Sequence, residues 1–134
     1  MLDVDDDQDV MQLAWEKVEL KANLPEEMTT DFYDHHGTVP SRPGCRRAYL
    51  RFFLRGKGIL QRNDTYLGVI TADASRQGLK FFSPVQLLPN ERCRIRLPKT
   101  KEFQIEIVRC RRIAEGCYEC GAMFVLGSLS DDKN

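Results

Sequence analysis

The sequence predicts a mainly β protein, a six-stranded antiparallel barrel preceded by an N-terminal amphipathic helix. Three observations carry this expectation. From residue 46 onward, short apolar runs recur between turn signals rich in Gly, Asn, Asp and Ser. Within several of these runs, notably RCRIRL and EFQIEIVRCRRI, polar and apolar residues alternate with the period of two that a half-buried strand requires. The last two runs are joined by Ala114-Glu115-Gly116 and form a long closing hairpin, which suits a small closed barrel.

The elements follow in order. The lead MLDVDDDQD is acidic and apolar residues are sparse in it, so no packed structure is expected at its start. In DVMQLAWEKVELKANLP, Met11, Trp15, Val18 and Ala22 fall on one stripe at spacings of three and four. That predicts a helix over about 9–24, capped by Asp7 or Asp9 and ended by Pro25. PEEMTTDFYDHHGTVPSRPG then reads as a linker with room for one helical turn. AYLRFFLR and KGILQRN form one long first strand, with Gly56 and Gly58 marking a bulge or bend. Asn63-Asp64 turns the chain into TYLGVITA. After the turn DASRQG come LKFF, RCRIRL, EFQIEIVRCRRI and CYECGAMFVL, with Phe103, Ile105 and Ile107 of the fifth strand facing one way. The predicted organisation is an arm and linker over 1–44, a barrel over 45–128 and a polar tail over 129–134.

Composition bounds the function. At 134 residues the chain has room for one modest core. No apolar run approaches the roughly 20 residues a membrane-spanning helix needs, and the acidic N-terminus does not read as a secretory signal. The expected compartment is the cytoplasm, without membrane insertion. The net charge of zero conceals an asymmetry: residues 1–36 hold 11 Asp/Glu and two Lys, while residues 37–134 hold 18 Lys/Arg and 9 Asp/Glu. A −9 arm thus precedes a +9 body, which suggests an anionic partner for the body, or an arm that offsets it. Five cysteines are an odd count, and free thiols are expected. The CYEC spacing lacks a second pair and sits on a predicted strand, where residues three apart face opposite ways, so no metal is assigned to it. His35 and His36 sit together on the acidic linker with no distant matching ligand, and they receive no metal either.

Two clusters of polar residues stand out on this scaffold. CRRAYLR places Arg46, Arg47 and Arg51 at the start of the first strand, with Arg47 and Arg51 leaving one face of an extended chain. Two guanidiniums on one face suit an anionic or planar partner, because the guanidinium fork bonds phosphate oxygens or the O6/N7 edge of guanine and stacks on bases. In DASRQG, Asp73 can accept from the two parallel donors of a guanine edge and Ser75 adds a hydroxyl. Gly78 gives freedom for positive φ or for close approach of the backbone to a ligand. A solvated strand end and an ordinary tight turn remain the plain alternatives for each cluster by itself.

Taken together, RAYLR (Arg47–Arg51) and DASRQG (Asp73–Gly78) resemble the paired motifs RxxxR and [D/N]xSxxG of the PilZ domain family of cyclic di-GMP receptors. YECGAMF is similar to the family's closing strand, and the resemblance covers about residues 45–126. It implies a PilZ-type six-stranded barrel with cyclic di-GMP held between the arginine segment and the turn. By that resemblance Arg47 and Arg51 would clasp phosphate and guanine with help from Arg46. Asp73 and Ser75 would read guanine, and Gly78 would shape the loop.

The functional expectation is therefore a non-enzymatic receptor that couples cyclic di-GMP binding to a protein partner by ordering the RxxxR segment. The cyclic dinucleotide is its ligand, and no cofactor is expected. A nucleic-acid-binding barrel, supported by the +9 body, and a PilZ-like adaptor that binds only protein are the alternatives. Nucleic acid is the weaker of the two anionic partners, because the charges form no aromatic-interleaved track. No enzyme is expected: the sequence offers no nucleophile–base constellation, no phosphate-binding glycine loop and no metal-ligand set.

Overall fold

The computed structural model describes residues 4–29, 32–39, 50–98 and 102–125, with backbone alone at 4–9. Helix α1 spans Val4–Lys17. It is followed by a two-residue strand β1 (Leu20–Lys21), a short helix α2 (Glu26–Thr29) and a 3₁₀ turn at Phe32–Asp34. Six strands follow: β2 (Phe52–Arg62), β3 (Thr65–Ala74), β4 (Gly78–Ser83), β5 (Arg92–Arg96), β6 (Glu102–Ala114) and β7 (Cys117–Phe124).

The six strands pair antiparallel in the order β3-β2-β5-β6-β7-β4, and β4 returns to β3, so the sheet closes into a barrel. Closure satisfies the strand edges that an open sheet would expose. The interior is filled by Leu60, Leu67, Val69, Leu79, Phe81, Ile95, Ile105, Ile107 and Cys120, all buried. Leu87, on the connection from β4 to β5, is also fully buried there. Asn63, at φ 54°, and Gly116, at φ +70°, supply the left-handed residues of the β2–β3 and β6–β7 turns.

A second cluster lies on the outside of the barrel. Ala22, Leu24 and Phe32 from the N-terminal segment pack on Ile70, Ala72, Phe82 and Cys117 of the barrel wall, with Trp15 and Met28 at the margin. Phe32 meets Phe82 edge-on at 5.9 Å. This is why β3 reads as an unbroken apolar run: its inward residues fill the barrel, while Ile70 and Ala72 face the N-terminal segment. The two cysteines of CYEC part accordingly, Cys117 to the outer cluster and Cys120 to the barrel core. All four described cysteines are free thiols. Burial pushes the Cys93 and Cys117 thiols up to about 11, which makes them poor nucleophiles at neutral pH.

The helix predicted over about 9–24 is corrected here. It begins at Val4 and stops at Lys17, and Leu20–Lys21 instead pairs parallel with Leu67–Gly68 of β3. β4 covers one edge of β3 only over Ile70–Ala74. The edge beyond it captures β1, and the Ala22 amide donates to the Gly68 carbonyl at 2.8 Å. Met11 and Trp15 still face the barrel along the predicted stripe, and the Trp15 indole N–H donates to the Val69 carbonyl at 3.0 Å. The stretch read as a linker is not one throughout, since Phe32 is buried and Gly37–Val39 hydrogen-bonds to Arg51 and Phe53.

Candidate functional site

The DASRQG turn joins β3 to β4 at one end of the barrel. The Ser75 amide donates to the Gly78 carbonyl at 2.9 Å, and the Ser75 hydroxyl accepts from the amides of Gln77 and Gly78 at 3.1 and 3.3 Å. Ser75 thus builds the turn with its oxygen and retains its hydroxyl proton for donation. Gly78 does not use the positive φ expected of it; only Gly37 and Gly116 do so among the described glycines. It is required for a different reason. A Cβ at Gly78 would lie 2.2 Å from the Ala122 carbonyl oxygen, so a side chain there would push β7 off β4.

Asp73 owes its orientation to a bulge. Along β3, Leu67, Val69 and Thr71 point inward, and strict alternation would send Asp73 inward too. The register against β4 shifts between Thr71 and Asp73, so Asp73 pairs with Lys80 on the outer wall. Arg51 comes to it from the segment entering β2, and its Nη2 donates to Asp73 Oδ1. The two side chains are only 19% and 7% exposed, so this pair is shielded from water, and removing one partner would strand the other charge.

The two groups belong to different motifs and lie 22 residues apart in sequence. They line a cavity of about 300 Å³ together with Ser75, Gln77, Gly78, Lys80, Val108, Arg109, Gly121 and Met123. Of the six residues predicted for the site, Arg51, Asp73, Ser75 and Gly78 therefore share one groove. Arg46 and Arg47 lie outside the described residues. A larger cavity of about 660 Å³, between α1 and β2, contains none of the motif residues.

Next to the groove, Lys80 is drawn along the wall to Glu119 at 3.1 Å, and Arg111 reaches the same carboxylate at 2.9 Å. Burial works to raise the Glu119 carboxyl, but hydrogen bonds and charge from Lys80 and Arg111 outweigh it and hold the group below the usual carboxylate value. Behind Arg51, the Arg55 guanidinium lies 4.2 Å from the Phe32 ring centre and 4.8 Å from that of Phe53. Its Nε donates to the Ala72 carbonyl at 2.9 Å. Sequence reasoning missed Lys80, Arg109 and Gln77 as groove residues. Only the cross-strand register brings Lys80 beside Asp73 and Arg109 to the far side of the same groove, and no local pattern announces it.

The structure is thus a small closed barrel with a groove on its outer wall, lined by Arg51, Lys80, Arg109 and one shielded carboxylate, Asp73. Comparison with protein families matches residues 46–133 to the PilZ domain, and the chain belongs to that family. No curated protein gives a significant match to the sequence. Among the described residues, no cluster of His, Cys, Asp and Glu could hold a metal ion, and no helix is long and apolar enough to cross a membrane.

Proposed function

We propose that this protein is a cyclic di-GMP receptor that binds its ligand in the groove between the RxxxR segment and the DASRQG turn. The observation that carries the reading is the convergence of Arg51 and Asp73, from two separate motifs, on one cavity that Ser75 and Gly78 also line. PilZ membership supports the ligand class.

The chemistry follows from the groups present. A carboxylate accepts from the adjacent N1–H and amino group of guanine, which present two parallel donors. A guanidinium bonds either the O6/N7 edge of the base or a phosphate, in bidentate fashion. Asp73 and Arg51 satisfy one another. Ligand has to part them, exchanging one ion pair for contacts of each residue with the dinucleotide. Arg46 and Arg47, immediately upstream, would add charge for the phosphates.

Coupling to a partner protein can start from the same place. The Val39 amide donates to the Arg51 carbonyl and the Phe53 amide to the Gly37 carbonyl, both at 2.8 Å. Movement of Arg51 toward ligand therefore pulls on residues 37–39, and through them on the N-terminal segment packed over the barrel wall. The ligand shifts this equilibrium only by its preference for the ordered arrangement.

Calorimetric titration of cyclic di-GMP into the purified chain, with Arg51→Ala and Asp73→Ala beside it, tests the proposal. Saturable binding that both substitutions abolish, with folding confirmed by circular dichroism, is the expected outcome. Absence of binding in the parent overturns it. A steeply salt-dependent affinity for oligonucleotides would then favour a nucleic-acid-binding barrel.

A further inference from the structure

We propose that Arg109 is the far anchor of this groove and receives the second half of the cyclic dinucleotide whose first half lies against Arg51 and Asp73. The inference rests on the receptor reading above and adds a residue that neither motif contains.

The register assigns the place. Phe53 pairs with Asp73, Asp73 with Lys80, Lys80 with Gly121, and Gly121 with Arg109. These residues form one transverse row across β2, β3, β4, β7 and β6, all facing outward. Arg109 reaches this row by the device that serves Asp73. Ile105 and Ile107 point into the core, and strict alternation would send Arg109 after them. A register shift between Ile107 and Arg109 turns it to the outer wall instead. Bulges on β3 and β6, the strands flanking the β4–β7 pair, thus aim a carboxylate and a guanidinium at one groove from its two sides.

Two further features single out Arg109 among the cations of this wall. Lys80 and Arg111 are both bound to Glu119, whereas no acidic side chain pairs with Arg109 among the described residues. Gly121 then leaves the wall open beneath it. The Arg109 Cγ, Nε and Cζ atoms all lie 3.5 Å from the position a Cβ at Gly121 would take. The side chain therefore runs across the glycine, along the floor of the groove, and presents its guanidinium there.

Three strand spacings separate Asp73 from Arg109, about 14 Å across the sheet. One end of the groove holds an acceptor for a guanine edge and the other an uncommitted guanidinium. A cyclic dinucleotide repeats its guanine and phosphate by two-fold symmetry. With one base at Asp73, its second base or phosphate extends along the row toward Arg109, where a guanidinium can stack on it or bond it bidentately.

The test is titration of cyclic di-GMP into the full chain and into Arg109→Ala, Arg109→Lys and Arg111→Ala. Arg111 lies on the outer face of the same strand with the same charge, so it controls for bulk electrostatics. Arg109→Ala should weaken binding about tenfold or more, the loss expected for one bidentate contact. Arg109→Lys should recover only part of it, and Arg111→Ala should bind within twofold of the parent. Unchanged affinity in Arg109→Ala, or an equal loss in Arg111→Ala, overturns the assignment while leaving the receptor reading intact. A parent chain that does not bind overturns both.

Discussion

Replacing Arg51 with alanine should destabilise the protein more than replacing Asp73, although the two side chains form one ion pair. Asp73 is the more enclosed, with 7% of its side chain exposed against 19% for Arg51. Without Arg51 the carboxylate stays in the wall with no partner, and breaking a shielded pair in this way costs about 3 kcal/mol, the low end for a buried pair because Arg51 is partly wet. Without Asp73 the longer arginine can turn to solvent, so only the net value of the charge-assisted hydrogen bond is lost, about 1.5 kcal/mol, the low end for a bond between charged groups. At the entropy of unfolding usual for a chain of this length, Arg51→Ala should lower Tm by roughly 10 °C and Asp73→Ala by roughly 5 °C. The double variant should cost about 1–2 kcal/mol less than the sum. Scanning calorimetry with urea unfolding of the parent, both single variants and the double variant measures all three quantities. Equal costs, the reverse order or strict additivity would refute the claim that the pair is shielded and that Asp73 is its enclosed member. The same interaction opposes any ligand that must part the two side chains.

Trp15 is the only tryptophan in the chain, and a Cβ at Gly68 would lie 2.9 Å from its indole nitrogen. Gly68→Val should therefore lift the N-terminal segment from the barrel and red-shift the fluorescence; an unshifted spectrum would show that the indole is not held there. Gly78→Ala places a methyl 2.2 Å from the Ala122 carbonyl oxygen and should cost about 1–3 kcal/mol through the forced shift of β7, read as a lower midpoint in guanidinium. Glu91 is held below the ordinary carboxylate value: burial works to raise it, and the Leu88 amide and Arg62 outweigh that effect. Glu119 behaves alike through Lys80 and Arg111. A depressed folded-state value means the stabilisation is complete above the ordinary value of 4.5 and is lost as pH falls below it. Urea midpoints between pH 7 and pH 3 should fall in the parent and fall less steeply in Glu119→Gln; parallel curves would remove Glu119 from the acid response.

The periodicity and turn signals of the sequence determined the six strands, because those features are local. Alternation in RCRIRL and the Gly116 turn needs no knowledge of neighbours. The pairing of RAYLR with DASRQG was legible as a motif resemblance, and the structure brings Arg51, Asp73, Ser75 and Gly78 to one cavity. The tertiary structure decided what depends on a second strand. Leu20–Lys21 left the helical stripe because β4 leaves part of the β3 edge uncovered, a fact about another element. Gly78 is required by the Ala122 carbonyl 44 positions away rather than by its own φ. Asp73 and Arg109 face outward because register shifts interrupt alternation on β3 and β6, and a period-two reading assigns both to the wrong side. Local preference is written in the order of residues, whereas cross-strand register is a property of the closed barrel, and the outer row of this groove exists only once the barrel has closed.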